Sequence, residues 1–177
     1  MGRSPFFTRV AVVVAASVTM ASAVAAQAAP ASPRDSVKVT AAGANISVNY
    51  GRPSKRGREI VGKLVPYGQV WRTGANAATA FTTSAPIKFG AVTVPAGNYT
   101  LYSLPTADGK WTLIINKQTG QWGTEYKQEM DLARIPMTVT KSATVVEKFE
   151  ITVTPAGNGG EIALHWDTMK AAATFTK

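Results

Sequence analysis

The sequence contains no cysteine. Disulfides, thiol nucleophiles and thiolate metal sites are thereby excluded, and the core must hold the fold unaided. A lipidated cysteine is excluded as well, so a lipoprotein-type anchor cannot be attached. Histidine occurs once, as His165, between Leu164 and Trp166 and beside Asp167. One imidazole without thiolates makes no transition-metal ligand set. With no nucleophile-elbow motif in the chain, it reads as an ordinary strand histidine and not as part of a Ser–His–Asp triad. No Asp-rich calcium loop is present, so the expectation is no metal and no cofactor. Acids are scarce, 10 Asp and Glu against 19 Lys and Arg, and the net charge is +9. Such a surplus points to anionic partners, but no nucleic-acid-binding motif accompanies it.

One apolar run stands out, and it lies at the start. Arg3 and Arg9 precede the stretch VAVVVAASV from Val10 to Val18, and Ala26-Gln27-Ala28 matches a small-residue cleavage site. This is the layout of a secretory signal peptide over residues 1–28, with cleavage expected after Ala28 and a periplasmic or secreted destination. The apolar core is shorter than the roughly 20 residues of a membrane span, and no other segment reaches that length. Cleavage removes Arg3 and Arg9, taking the charge from +9 to +7, and leaves residues 29–177. That length suits one domain with a real core.

The remainder reads as strands and turns. Residues 29–36 form a Pro/Ser leader expected to be flexible, followed by one domain over 37–177. Val37 and Val39, then Ile46, Val48 and Tyr50, recur with period two around Ala42-Gly43, as in a hairpin. Residues 99–104 and 111–116 alternate around Asp108-Gly109, a strong hairpin signal. Both faces of this pair are apolar, which predicts a central hairpin covered on both sides. Residues 118–134 break the alternation and suggest one or two helical turns. Strand patterns return around Met137, Phe149, Ile162 and Ala171. Nine or ten short strands at regular spacing predict an all-β fold, an antiparallel, jelly-roll-like β-sandwich with one long basic loop.

That basic loop, from Tyr50 to Thr79, holds Arg52, Lys55, Arg56, Arg58, Lys63 and Arg72 against a single acid, Glu59. Guanidinium groups recognise carboxylate or phosphate in a planar, bidentate manner. Arg52, Arg58, Arg72 and Lys117 are therefore candidate ligand contacts, with Asn76 and Thr79 as neutral hydrogen-bonding partners. The same arginines could instead brace loops by pairing with Glu125, Asp131, Glu147 or backbone carbonyls. Trp111 and Trp166 fall within apolar alternation and are expected in the core. Trp71 and Trp122 lie in loop contexts, where an aromatic face suits either packing or a sugar ring. Glu125, Glu129, Asp131, Glu147 and Glu150 could supply a pair of carboxylates for glycoside hydrolysis, but their spacing picks out no such pair.

Several phrases together resemble a bacterial family of exported domains of unknown function, DUF2911. They are Ser32-Pro33-Arg34, Tyr50-Gly51-Arg52-Pro53, Gly57-Arg58, and Trp71-Arg72-Thr73-Gly74-Ala75-Asn76 with Thr79. Pro95-Ala96-Gly97 before Tyr99, Asn116-Lys117, Gln121-Trp122-Gly123 and Glu147 with Phe149 complete the set. The resemblance implies a compact, β-rich exported domain and brings no established activity. Three readings follow from the residues. One is a binding module for an anionic small molecule or envelope glycan, using Arg52, Arg58, Arg72, Asn76, Thr79, Lys117 and Trp122. The second is a hydrolase of envelope glycans or esters, with Glu125 or Asp131 as general acid/base. The third is a structural or interaction domain.

Overall fold

In the computed structural model the described residues are 1–2 and 31–177. The expected signal peptide and its cleavage site at Ala28 lie outside the described residues. No described helix is long and apolar enough to cross a membrane. The fold is all-β, as the period-two patterning predicts, with one short 3-10 turn among the described residues, at Gln128–Met130.

The first hairpin joins β1 (Arg34–Ala41) to β2 (Ala44–Gly51). Its turn residues Ala42 and Gly43 both have positive φ, 54° and 72°, which matches the right-handed twist of the flanking strands. β1 begins at Arg34, inside the leader expected to extend to Ser36. The cause is Arg34 itself. Its Nε donates to Asn49 Oδ1 at 2.7 Å, and its terminal nitrogens donate to Asn49 O, Ala77 O and Ala78 O. One side chain thus fastens β1 to β2 and to the far end of the basic loop.

The later strands are β3 (Thr79–Thr83), β4 (Ile87–Phe89), β5 (Val92–Val94), β6 (Gly97–Pro105), β7 (Trp111–Asn116), β8 (Asp131–Ala156) and β9 (Gly159–Thr176). Their order across the sheet is β1-β2-β3-β6-β7-β8-β9-β4-β5, antiparallel at every pairing. β6 and β7 form the central hairpin, with Leu101, Tyr102, Leu113, Ile114 and Ile115 all buried on one face or the other.

β8 and β9 are single long strands where the sequence suggests separate short ones. β8 pairs with β7 through residues 131–137 and with β9 from Thr138 onward, so it carries the sheet from one layer to the other. Its register shifts twice, between Lys141 and Val146 and between Val146 and Glu150. Such bulges bend a strand and raise its twist, which lets one strand serve both layers. Bulge residues break the period-two pattern, and that is why sequence alternation splits the strand.

The two layers meet in an aromatic core. Tyr50 of β2 lies edge-on to Phe149 of β8, with ring centroids 5.8 Å apart. Trp71 contacts the same Phe149 at 4.9 Å and stacks on Trp166 of β9 at 5.7 Å. Trp111 and Trp166 are buried, as expected. Trp71 therefore ties the basic loop into the centre of the domain.

Candidate functional site

The basic loop runs from β2 to β3 and is held at three places by backbone pairing. Phe149 N–H donates to Pro53 O and Lys55 N–H to Glu147 O, which lays residues 53–55 along β8. Trp71 and Ser103 exchange hydrogen bonds of 2.7 and 2.9 Å, fixing the middle of the loop to β6. Gly123 N–H donates to Asn76 O and Ala78 N–H to Gln121 O, so the loop's end is tied to residues 121–123. Between these anchors the backbone is strained. Thr73, Gly74 and Asn76 have φ of 49°, 148° and 64°. A buried β-branched residue such as Thr73 rarely adopts positive φ, and strain of this kind gathers at functional sites.

Thr79 explains how the strain is held. Its buried hydroxyl donates to Thr73 O at 2.7 Å and approaches Arg72 O at 3.4 Å. Thr73 Oγ1 lies 3.0 Å from Ser103 Oγ and also approaches Trp71 O. This loop geometry delivers Arg72 and Asn76 to one cleft of about 420 Å³. Arg58 reaches the same cleft from the opposite part of the loop. Trp71, Trp166, Tyr102 and Tyr126 supply aromatic wall, and Ser32, Thr124 and Gly123 complete the rim.

Two arginines line the cleft and no Asp or Glu does. Two other cavities hold one lysine each, Lys38 and Lys141, and no acid, and a third, of about 390 Å³ over β8 and β9, is mixed. Its lining includes Glu161 and Lys170, which pair with each other at 2.8 Å. In the first cleft, Arg72 uses Nε on Gly74 O at 3.3 Å. Its two terminal nitrogens have no acceptor among the described residues. Arg58 is more committed, with Nε on Lys55 O and the Nη2 nitrogen on Ser54 O at 2.6 Å.

The tyrosine wall joins Tyr102 of β6 to Tyr126 of the segment between β7 and β8. Tyr126 meets Tyr102 edge-on at 4.9 Å. Tyr126 O–H donates to Asp131 Oδ2 at 2.6 Å and accepts from Arg134 at 2.7 Å. Burial first, then the Asp131 carboxylate, pushes the Tyr126 hydroxyl up to about 12. Burial also raises Tyr102, whose oxygen accepts a hydrogen bond from Gln121 Nε2 at 3.0 Å.

Of the seven residues singled out in the sequence, the structure brings Arg58, Arg72 and Asn76 together at the cleft. Arg52 and Thr79 are braces. Arg52 pairs with Asp35 at 2.9 Å and donates to Phe149 O, holding the loop's start against β8. Lys117 and Trp122 are not in the lining. Lys117 is exposed just past the end of β7, and Trp122 is exposed while its neighbours Gly123 and Thr124 reach the rim. Trp166, Tyr102 and Tyr126 were not among the seven. Trp166 has a core signature and is indeed 1 % exposed, yet its edge reaches the cleft.

The acids considered for catalysis lie elsewhere. Asp131 accepts from Tyr126, Asn116 and Arg134, and Glu147 accepts from the Arg56 N–H. Among the described residues no three His, Cys, Asp or Glu are grouped as a metal site.

These features define a small all-β domain with a cleft lined by two arginines and no acid, framed by a strained loop. The chain belongs to the DUF2911 family, described as a protein of unknown function, whose model matches residues 32–175. That span runs from just before β1 to the penultimate residue of β9. No curated protein and no solved structure matches the chain.

Proposed function

We propose that this domain is a binding module for a small polar anion, held at Arg72 with Arg58 and Asn76 beside it. The observation that carries the reading is the absence of any acid from a cleft lined by two arginines. A guanidinium whose end fork has no acceptor among the described residues offers two parallel donors to one carboxylate or phosphate. The strained Thr73–Asn76 segment supports the reading, because its backbone holds the side chains that point to one place. The apolar, Arg-flanked start of the chain supports placing this activity in the periplasm or outside the cell, where acidic envelope glycans or their fragments are the natural partners.

The hydrolase reading has less support, since the carboxylates it needs are absent from the lining. The purely structural reading accounts for Arg52 but leaves Arg72's fork without a role. A thermal-shift series with acetate, phosphate and sulfate tests the proposal on wild type and Arg72→Ala. A ligand at about 100 times its Kd adds about 2.7 kcal/mol of stability, which is several degrees at about 2–4 °C per kcal/mol. An upward shift in wild type that vanishes in Arg72→Ala is expected. An equal shift in both proteins would remove Arg72 from the site and the proposal with it.

A further inference from the structure

We infer that the anion taken by the cleft is an acidic sugar, a pyranose ring carrying one carboxylate or phosphate. The inference rests on reading the cleft as an anion site and adds a body to the ligand's charge. With Nε engaged by Gly74 O, Arg72 presents only its end fork. Arg58, already donating to two carbonyls of its own loop, has one terminal nitrogen left. That donor set matches a single anionic group better than a polyanion.

A bare anion would leave most of about 420 Å³ to water, a volume typical of small-molecule sites of roughly 300–1,000 Å³. Two kinds of surface fill the rest. Trp71 and Tyr126, both half-buried, supply the open aromatic surface, backed by the buried Trp166 and Tyr102; electron-rich ring faces attract the weakly positive C–H groups of a pyranose. Asn76, Thr124 and Ser32 supply neutral groups that both donate and accept. Asn76 commits one N–H to Ser32 O at 3.4 Å, leaving its other N–H and its carbonyl oxygen. Ring hydroxyls can satisfy such groups. An alkyl or aryl acid would cover them dry and forfeit their hydrogen bonds to water.

Calorimetric titration of the purified protein tests this with glucuronate, galacturonate and glucose phosphorylated on its primary hydroxyl. Glucose, galactose, acetate and inorganic phosphate serve as the separated parts. At least one sugar acid should bind about tenfold or more tighter than both its neutral sugar and its bare anion. The carboxylate and phosphate arms identify the head group. Thr124→Val should weaken that sugar acid severalfold while changing acetate or phosphate less. If the bare anions bind as tightly as the sugar acids, the anion site stands and the sugar inference falls. If glucose or galactose binds as tightly as its acids, or if nothing in the series binds, both readings fall.

Discussion

The Tyr50 hydroxyl and the Ile151 backbone exchange hydrogen bonds across the buried core, at 3.0 Å from Ile151 N–H to the hydroxyl and 3.5 Å from the hydroxyl back to Ile151 O. One side chain of β2 thus completes the backbone pairing of β8 in the facing layer, at a sequence separation of 101 residues. Tyr50→Phe keeps the ring against Phe149 but leaves the Ile151 N–H without its partner. An orphaned buried donor costs about 1–3 kcal/mol. The variant should fold, bind ligand as wild type does, and melt several degrees lower in a calorimetric scan.

Arg52 and Arg72 illustrate two uses of the same side chain within one loop. Arg52 joins Asp35 and Phe149 O. Its ion pair is partly exposed, so the pair itself is worth little, about 1 kcal/mol at most. The bond to Phe149 O adds the fastening of the loop to β8. Arg52→Ala should lower the denaturation midpoint measurably and leave anion affinity within about twofold. Arg72→Ala should do the reverse, because the only side-chain hydrogen bond it loses among the described residues is the long one to Gly74 O. Urea titration and ligand titration of both variants separate the roles, and a shared loss of binding would contradict them.

The fold was largely legible in the sequence, and the site only in part. Period-two alternation gives β1, β2, β6 and β7 directly, because these strands have one regular register and turns of clear chemistry. It divides β8, because the bulges near Val146 shift which face each residue meets. The basic loop was visible as a cluster of charge, yet composition could not tell Arg52 from Arg72. That distinction depends on whether Asp35 or open space faces the guanidinium, and such neighbours come from β1 and from the chain beyond β7. Tyr102 and Tyr126 left no signal of a site. Their roles arise only when the segment after β7 folds back over the central hairpin.

Alkaline titration should report the Tyr126 network. Its hydroxyl ionises at 10.0 in an unfolded chain and at about 12 in the fold, through burial and then through the Asp131 carboxylate. The folded state therefore holds the proton more tightly. The stabilisation is complete below pH 10.0, begins to fall as the unfolded chain ionises, and is gone once pH exceeds about 12. Thermal melts across this range should decline for wild type and decline less steeply for Tyr126→Phe. Some slope should remain in the variant, because burial also raises Tyr50, Tyr99 and Tyr102.

Asn76 and Gly123 allow the shape of the cleft to be changed from opposite directions. Asn76 is exposed with φ of 64°, a conformation glycine adopts at no steric cost. Asn76→Gly should therefore stay within about 1 kcal/mol of wild-type stability while losing the amide from the rim, so that binding weakens without unfolding. Gly123 lies against the same loop. A Cβ there would come within 2.8 Å of Arg72 Cδ and 2.7 Å of Asn76 O. The Arg72 side chain can yield, but the Asn76 carbonyl belongs to backbone and accepts the Gly123 N–H. Gly123→Ala should therefore push the Arg72 loop away from the segment after β7, costing about 1–3 kcal/mol as overpacking does. Its loss of affinity should exceed that of Asn76→Gly, because it displaces the guanidinium as well as the amide. Paired melting and titration of the two variants checks this ordering. A Gly123→Ala protein with wild-type affinity would show that the approach of this glycine to Arg72 has no part in binding.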